Sequence, residues 1–240
     1  MHYKLLVDLQ EFQLNNHLIV KTFKLLFFVL PGLFLVFSCG NGVKSLKMGT
    51  VKDVDNNVYP TVTLGNQIWM TENLKTTKYN DGTPIHNIKE EEAWKGQTTA
   101  AYCWFKNDSA NKSAYGVYYN WYAVHTGKLC PSGWHAPSDK EWRALTDFLG
   151  GDNVAGINMK YESGWSNKGN GTNSSGMSVL PYGYRSAKGL FSSQGISAYF
   201  WSSSESDPNT WYCVLFSKDG TAFKYYGTRE SGFSVRCLKN

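Results

Sequence analysis

A thirteen-residue run without a single charge, Leu25 to Phe37, follows Lys21 and Lys24 and sets the terms for the rest of the chain. It is too short to cross a bilayer as a helix, which takes about 20 apolar residues. Pro31 and Gly32 also interrupt it. A short apolar core behind positive charge is the pattern of a secretory signal. What folds is then the chain after it, in a compartment where thiols oxidise.

The run ends in Val36-Phe37-Ser38-Cys39, which resembles a lipobox, the bacterial site where a cysteine thiol receives diacylglycerol and the leader is cut away. Cys39 is therefore the expected lipidated N-terminus, and Gly40-Asn41-Gly42 begins a polar tether. An ordinary leader with an unrelated cysteine is the plainer alternative. On this reading residues 1–38 are leader, 39–49 tether and 50–240 one domain. Removing the leader leaves 202 of the 240 residues, enough for a single core without a metal. It also leaves 21 Lys and Arg against 17 Asp and Glu, a net charge of +4 with no basic run, so no nucleic-acid partner is expected. The expected location is the cell envelope, anchored by lipid to the outer membrane and facing either side of it.

Strand signals open the domain. Val51, Val54 and Val58 flank a turn at Asp55-Asn56-Asn57, and Val62 and Leu64 precede a second turn at Gly65-Asn66. Residues 90–94 suggest a short helix, 101–105 a strand, and the aromatic stretch Tyr115 to Val124 a short buried helix. The clearest helix covers Asp139 to Leu149, with Ser138 and Glu141 as a capping box and Trp142, Leu145, Phe148 and Leu149 on one stripe. A further helix is expected over 154–160. Residues 163–176 read as a Gly-rich surface loop. Strands are expected at 177–180, 198–203, 211–216, 221–226 and 233–237. Strands, helices, then strands, without βαβ alternation, give an α+β fold. Cys103, Cys130, Cys213 and Cys237 suit two disulfides, with three pairings open.

Several ordered segments carry a resemblance: Thr63 to Leu74, Tyr115 to Trp121, Cys130 to Trp142, Leu180 to Arg185, Tyr199 to Glu205 and Gly232 to Cys237. Together they resemble the Fibrobacter succinogenes major paralogous domain family of exported proteins and lipoproteins, many from Bacteroidetes and Fibrobacteres. Trp134 to Trp142 and Gly232 to Arg236 also resemble segments of formylglycine-generating enzymes. That likeness implies a C-type lectin-like fold, with small twisted antiparallel sheets, one or two short helices and much loop. The family pattern implies a Cys130–Cys237 bridge and leaves Cys103 with Cys213. The family often has a cysteine soon after the position of Cys103, and this chain lacks it. The enzymes' close cysteine pair on copper has no counterpart here, so their chemistry is not carried over.

No catalytic residue is expected. The mature chain holds only His86, His125 and His135, and no GxSxG. His135, just ahead of the capped helix, reads as a structural hydrogen bonder. Glu205, Asp207 and Asn209 resemble the oxygen-rich Pro-Asn loop with which lectins hold calcium, but Asp-Pro-Asn is also ordinary turn chemistry, and the turn is preferred. No metal and no cofactor are expected. With 9 Trp, 15 Tyr and 13 Phe, stacking on sugar rings is the most natural binding chemistry. Trp165, in the Gly-rich loop, and Trp201 and Trp211, flanking the 204–209 loop, are the candidate ligand contacts, with Glu205, Asp207 and Asn209 beside them. The expected role is a membrane-tethered binding module, possible ligands being glycans. A structural or adhesive envelope protein with protein partners is the alternative, and a sulfatase-modifying type of enzyme a lesser one.

Overall fold

The computed structural model describes residues 46–240. The apolar run, the leader boundary and Cys39 lie outside the described residues. The strands are β1 (Met48–Lys52), β2 (Val58–Leu64), β3 (Gln67–Met70), β4 (His86–Asn87), β5 (Ala101–Cys103), β6 (Tyr118–Tyr119), β7 (Trp134–His135), β8 (Tyr184–Arg185), β9 (Phe191–Ser192), β10 (Ser197–Ser206), β11 (Asn209–Phe216), β12 (Ala222–Gly227) and β13 (Leu238–Lys239). The helices are α1 (Glu91–Trp94), α2 (Lys112–Tyr115), α3 (Trp121–His125), α4 (Asp139–Phe148) and α5 (Asp152–Met159). Several small sheets, most of them antiparallel, and a few short helices make an α+β fold.

The first sheet runs β1-β2-β3-β13-β7. Its two hairpins form where turn residues lie. Asp53 caps the first turn, accepting from the Asn57 amide at 2.9 Å and the Tyr59 hydroxyl at 2.5 Å. Gly65 takes the left-handed conformation at the second, with φ 59°. The last strand closes the sheet from inside: Leu238 pairs with Trp69 on β3 and His135 on β7. The Cys130–Cys237 disulfide pins the same place, so the chain end is sewn to the segment leading into α4.

Helix α4 starts at the expected cap. Ser138 Oγ accepts from the Glu141 amide at 3.3 Å, and Glu141 Oε2 accepts from the Ser138 amide at 2.7 Å. Trp142 and Leu145 are buried, whereas Phe148 is exposed, because the helix leaves the core before its last turn. Helix α5 begins two residues ahead of its expected start.

The aromatic stretch Tyr115 to Val124 is not one helix. Gly116, at φ 76°, ends α2; β6 follows, and Asn120 then caps α3 with Oδ1 accepting from Ala123 at 3.2 Å. A side chain at Gly116 would meet Asn73 Cβ at 2.6 Å, so the break is also a close approach of two segments. Met177 to Leu180 is irregular rather than a strand. Phe233 to Cys237 makes only isolated bridges before β13 begins.

The second sheet is the meander β10-β11-β12, with a bulge between Trp201 and Glu205. Its register sets Phe200 opposite Cys213 and Ala198 opposite Leu215. These side chains share one face and bury against Trp142, Leu145, Ala155 and Met159 of α4 and α5. By strand alternation the other face carries Tyr199, Trp201, Tyr212, Val214, Phe216, Phe223 and Tyr225.

Candidate functional site

Each tryptophan singled out from the sequence has a defined place, and the three do not form one surface. Trp201 is 0% exposed; its Nε1 donates to the Tyr119 carbonyl at 2.7 Å and its ring lies 4.2 Å from that of Phe233. Trp165 is 5% exposed and donates to the Val179 carbonyl at 3.0 Å. Both are core residues and offer no ring face to a ligand. Trp211 is half-buried on the opposite face of β11 from Tyr212, with Lys224 Nζ 4.0 Å above its ring and Tyr226 edge-on at 5.8 Å.

The Gly-rich segment is a surface loop, as expected, but its backbone is tied down at several points. The amides of Gly171 and Thr172 donate to the carbonyls of Tyr161 and Ile157, both at 3.0 Å. A side chain on Gly169 would stand 1.9 Å from the Ser217 carbonyl oxygen. Glycine is needed there because two backbones touch.

Glu205 and Asp207 are exposed, but they face a guanidinium rather than an empty cation site. Arg229 Nη2 lies 3.4 Å from Glu205 and 3.6 Å from Asp207, and His125 Nδ1 lies 3.3 Å from Glu205. Asn209 opens β11, opposite Ser206. Among the described residues no group of three or more His, Cys, Asp or Glu side chains converges.

The two remaining cysteines are unpaired. Cys103 packs with Trp94, Phe105 and Tyr118, whereas Cys213 packs under α4 and α5 in a different cluster. The second bridge is therefore not formed. Burial pushes both thiols up to about 12, so neither is a thiolate at neutral pH. His135 ties the C-terminal residue to α4: one ring nitrogen lies 2.6 Å from Asn240 Oδ1 and the other 2.9 Å from Glu141 Oε1.

The accessible aromatic surface lies elsewhere. On the face of β10–β12 turned away from α4 and α5, ring centres succeed one another from Tyr184 to Tyr199 at 4.6 Å, to Tyr212 at 5.7 Å and to Tyr225 at 6.2 Å. A second row turns back along the strands, from Tyr225 to Phe223 at 5.9 Å and to Phe216 at 5.6 Å. Val214 lies fully buried between them. Tyr225 is 45% exposed, and the other five rings are half-buried. Burial pushes the Tyr212 phenol up to about 12 and raises that of Tyr199, so both remain neutral hydroxyls. The Glu205–Arg229 pair closes one end, since Glu205 stands opposite Thr210, two residues before Tyr212. Sequence alone does not single out these rings, because alternation reveals a face and not what covers it. The available signal is aromatic residues at alternate positions on three successive strands, with Val214 the exception on β11.

This is a disulfide-pinned α+β domain with a row of partly exposed aromatic rings on one face of its β10–β12 sheet. The family model for the Fibrobacter succinogenes major domain matches residues 62–239, and the chain belongs to that family. No curated protein and no solved structure matches the chain.

Proposed function

We propose that the protein is an exported, lipid-anchored binding module that recognises glycan through the aromatic face of β10–β12. The observation that carries the reading is the row Tyr184, Tyr199, Tyr212 and Tyr225, a run of partly exposed rings where a packed domain would ordinarily hide them. The apolar faces of sugar rings stack on such side chains, and the phenol hydroxyls bond to sugar hydroxyls. The small antiparallel sheets and short capped helix suit a C-type lectin-like body, a scaffold that displays ligand sites. Anchoring through Cys39 would hold this face at the cell envelope.

The site moves from the loops 163–176 and 201–211 to the sheet face. Glycan-array screening followed by pull-down of the matching polysaccharide tests it. Tyr212→Ala and Tyr225→Ala should each weaken binding about tenfold, the loss of about 1.4 kcal/mol of stacking. Binding unchanged in both variants removes the site. Mass spectrometry of the native protein tests the anchor: Cys39 should be the N-terminal residue and carry acyl chains.

A second reading, adhesion to a protein partner, is favoured by the edge of β12, which among the described residues pairs with β11 alone and lies beside exposed Tyr225 and Tyr226. Cross-linking in intact cells through a photoreactive group at position 226 separates the two.

A further inference from the structure

A groove of about 540 Å³ lies on the side of the domain where the described chain begins, bordered by Met48, Glu72, Asn73, Lys75, Tyr115 and Tyr182. A second hollow, lined by Pro181 and Gln194, adjoins it and shares Tyr115 and Tyr182 as lining. Glu72 and Lys75 are paired on its rim at 2.5 Å.

Behind the wall sits Arg236. Its Nε donates to Asn73 Oδ1 at 3.1 Å, and its Nη1 donates to the Met177 carbonyl. Asn73 is itself wall, and so are Gly176 and Ser178, the neighbours of Met177. The guanidinium is 1% exposed, and Nη2 is buried without an acceptor. Among the described residues no carboxylate pairs with it; the nearest one it senses is Glu72, already held by Lys75. Burial pulls Arg236 down to about 10, which leaves it a cation at neutral pH. Glu72 and Lys75 cancel on the lining, so the charge of Arg236, buried behind it, is left unbalanced. In a low-dielectric wall that charge extends into the cavity. Tyr115 and Tyr182, packed edge to face at 5.5 Å, add one aromatic patch to the wall.

We propose that this groove is a second binding site, specific for a carboxylate-bearing sugar such as a uronate unit of an acidic polysaccharide. The sugar carboxylate takes the place of Glu72 at Lys75, in the field of Arg236, while its ring lies against Tyr115 and Tyr182. The site is independent of the sheet face, whose rings carry no charge.

Calorimetry of the mature full chain with an oligogalacturonate, and with the neutral galactose oligomer of equal length, tests it. The acidic ligand should bind at least about tenfold more tightly, and its affinity should fall as salt is raised. Lys75→Met and Tyr182→Ala should each cost about tenfold. Glu72→Gln removes the internal competitor and should tighten binding several-fold, a gain that misfolding cannot imitate. Lys140→Met, an exposed lysine on α4, should change nothing, which excludes general charge attraction. Equal affinity for acidic and neutral ligands, or no gain in Glu72→Gln, overturns the proposal. Binding of a short peptide through its free C-terminus, with none of the uronate, overturns it in favour of a protein partner.

Discussion

The guanidinium of Arg185 lies 4.4 Å from the centre of the Trp94 ring, and Phe191 stands 5.1 Å away. Among the described residues no carboxylate pairs with it. Its N–H groups donate instead to the carbonyls of Gly189 at 2.8 Å, Ile88 at 2.7 Å, Lys89 at 2.9 Å and Glu90 at 3.2 Å. One fully buried side chain thus joins β8 to the segment entering α1. Arg185→Lys keeps the charge but loses the planar fork and the stacking, and should cost about 3 kcal/mol. Urea unfolding of the variant gives the number, and a loss near zero would show that the fork is dispensable.

The Cys130–Cys237 bridge closes a loop with a sequence separation of 107. Changing both residues to Ala should lower stability by about 2–5 kcal/mol. Wild-type protein melted in reductant should fall by the same amount, because Cys103 and Cys213 form no second bridge to lose.

Those two buried thiols set an alkaline limit. Their folded values, about 12, stand above the ordinary 9.0, so between these limits the folded state holds protons that the unfolded state has released. Stability is fully present below pH 9 and is lost as pH rises toward 12. Each thiol contributes a slope of at most about 1.4 kcal/mol per pH unit. Denaturant midpoints measured across that range should fall, and fall less steeply in the Cys103→Ala, Cys213→Ala double variant. Native protein should also resist thiol reagents until it is unfolded.

The capping box of α4 is worth testing singly. Ser138→Ala should cost about 1 kcal/mol. Burial opposes ionisation of Glu141, but hydrogen bonds from Ser138 and contact with His135 prevail and hold its carboxyl below the usual value. Its contribution is present above the unfolded carboxylate range and is lost as pH falls through the lowered value. Glu141→Gln should therefore flatten the acid limb of the stability profile.

Gly169→Ala should destabilise by more than about 3 kcal/mol, beyond ordinary overpacking, because the new methyl would collide with backbone at Ser217. A calorimetric scan showing an unchanged melting point would mean that the loop 163–176 can lift away from Ser217.

Much of the frame was legible before any coordinates. Both turns of the β1–β2–β3 hairpins follow from Asp55-Asn56-Asn57 and from Gly65-Asn66, although the capping by Asp53 does not. Helix α4 follows from its cap and stripe, and the Cys130–Cys237 bridge from family likeness. The dense aromatics of Tyr115 to Val124 suit a buried helix or a buried strand equally, and only the close contact at Gly116 breaks the segment in two. Trp165 and Trp201 failed as ligand contacts for a related reason. A loop or strand-end tryptophan has the same local pattern whether it faces water or, as here, donates inward to the Val179 or Tyr119 carbonyl.

By itself the sequence determined the local conformations: turn, cap, strand alternation, and which residues share a face. Those depend on neighbours a few positions away. Which aromatic face stays uncovered, which cysteine finds a partner and where Arg236 meets the groove wall were decided only when distant segments packed. Burial is a property of what lies opposite, and β13 arriving between β3 and β7 lies opposite residues far from it in the chain.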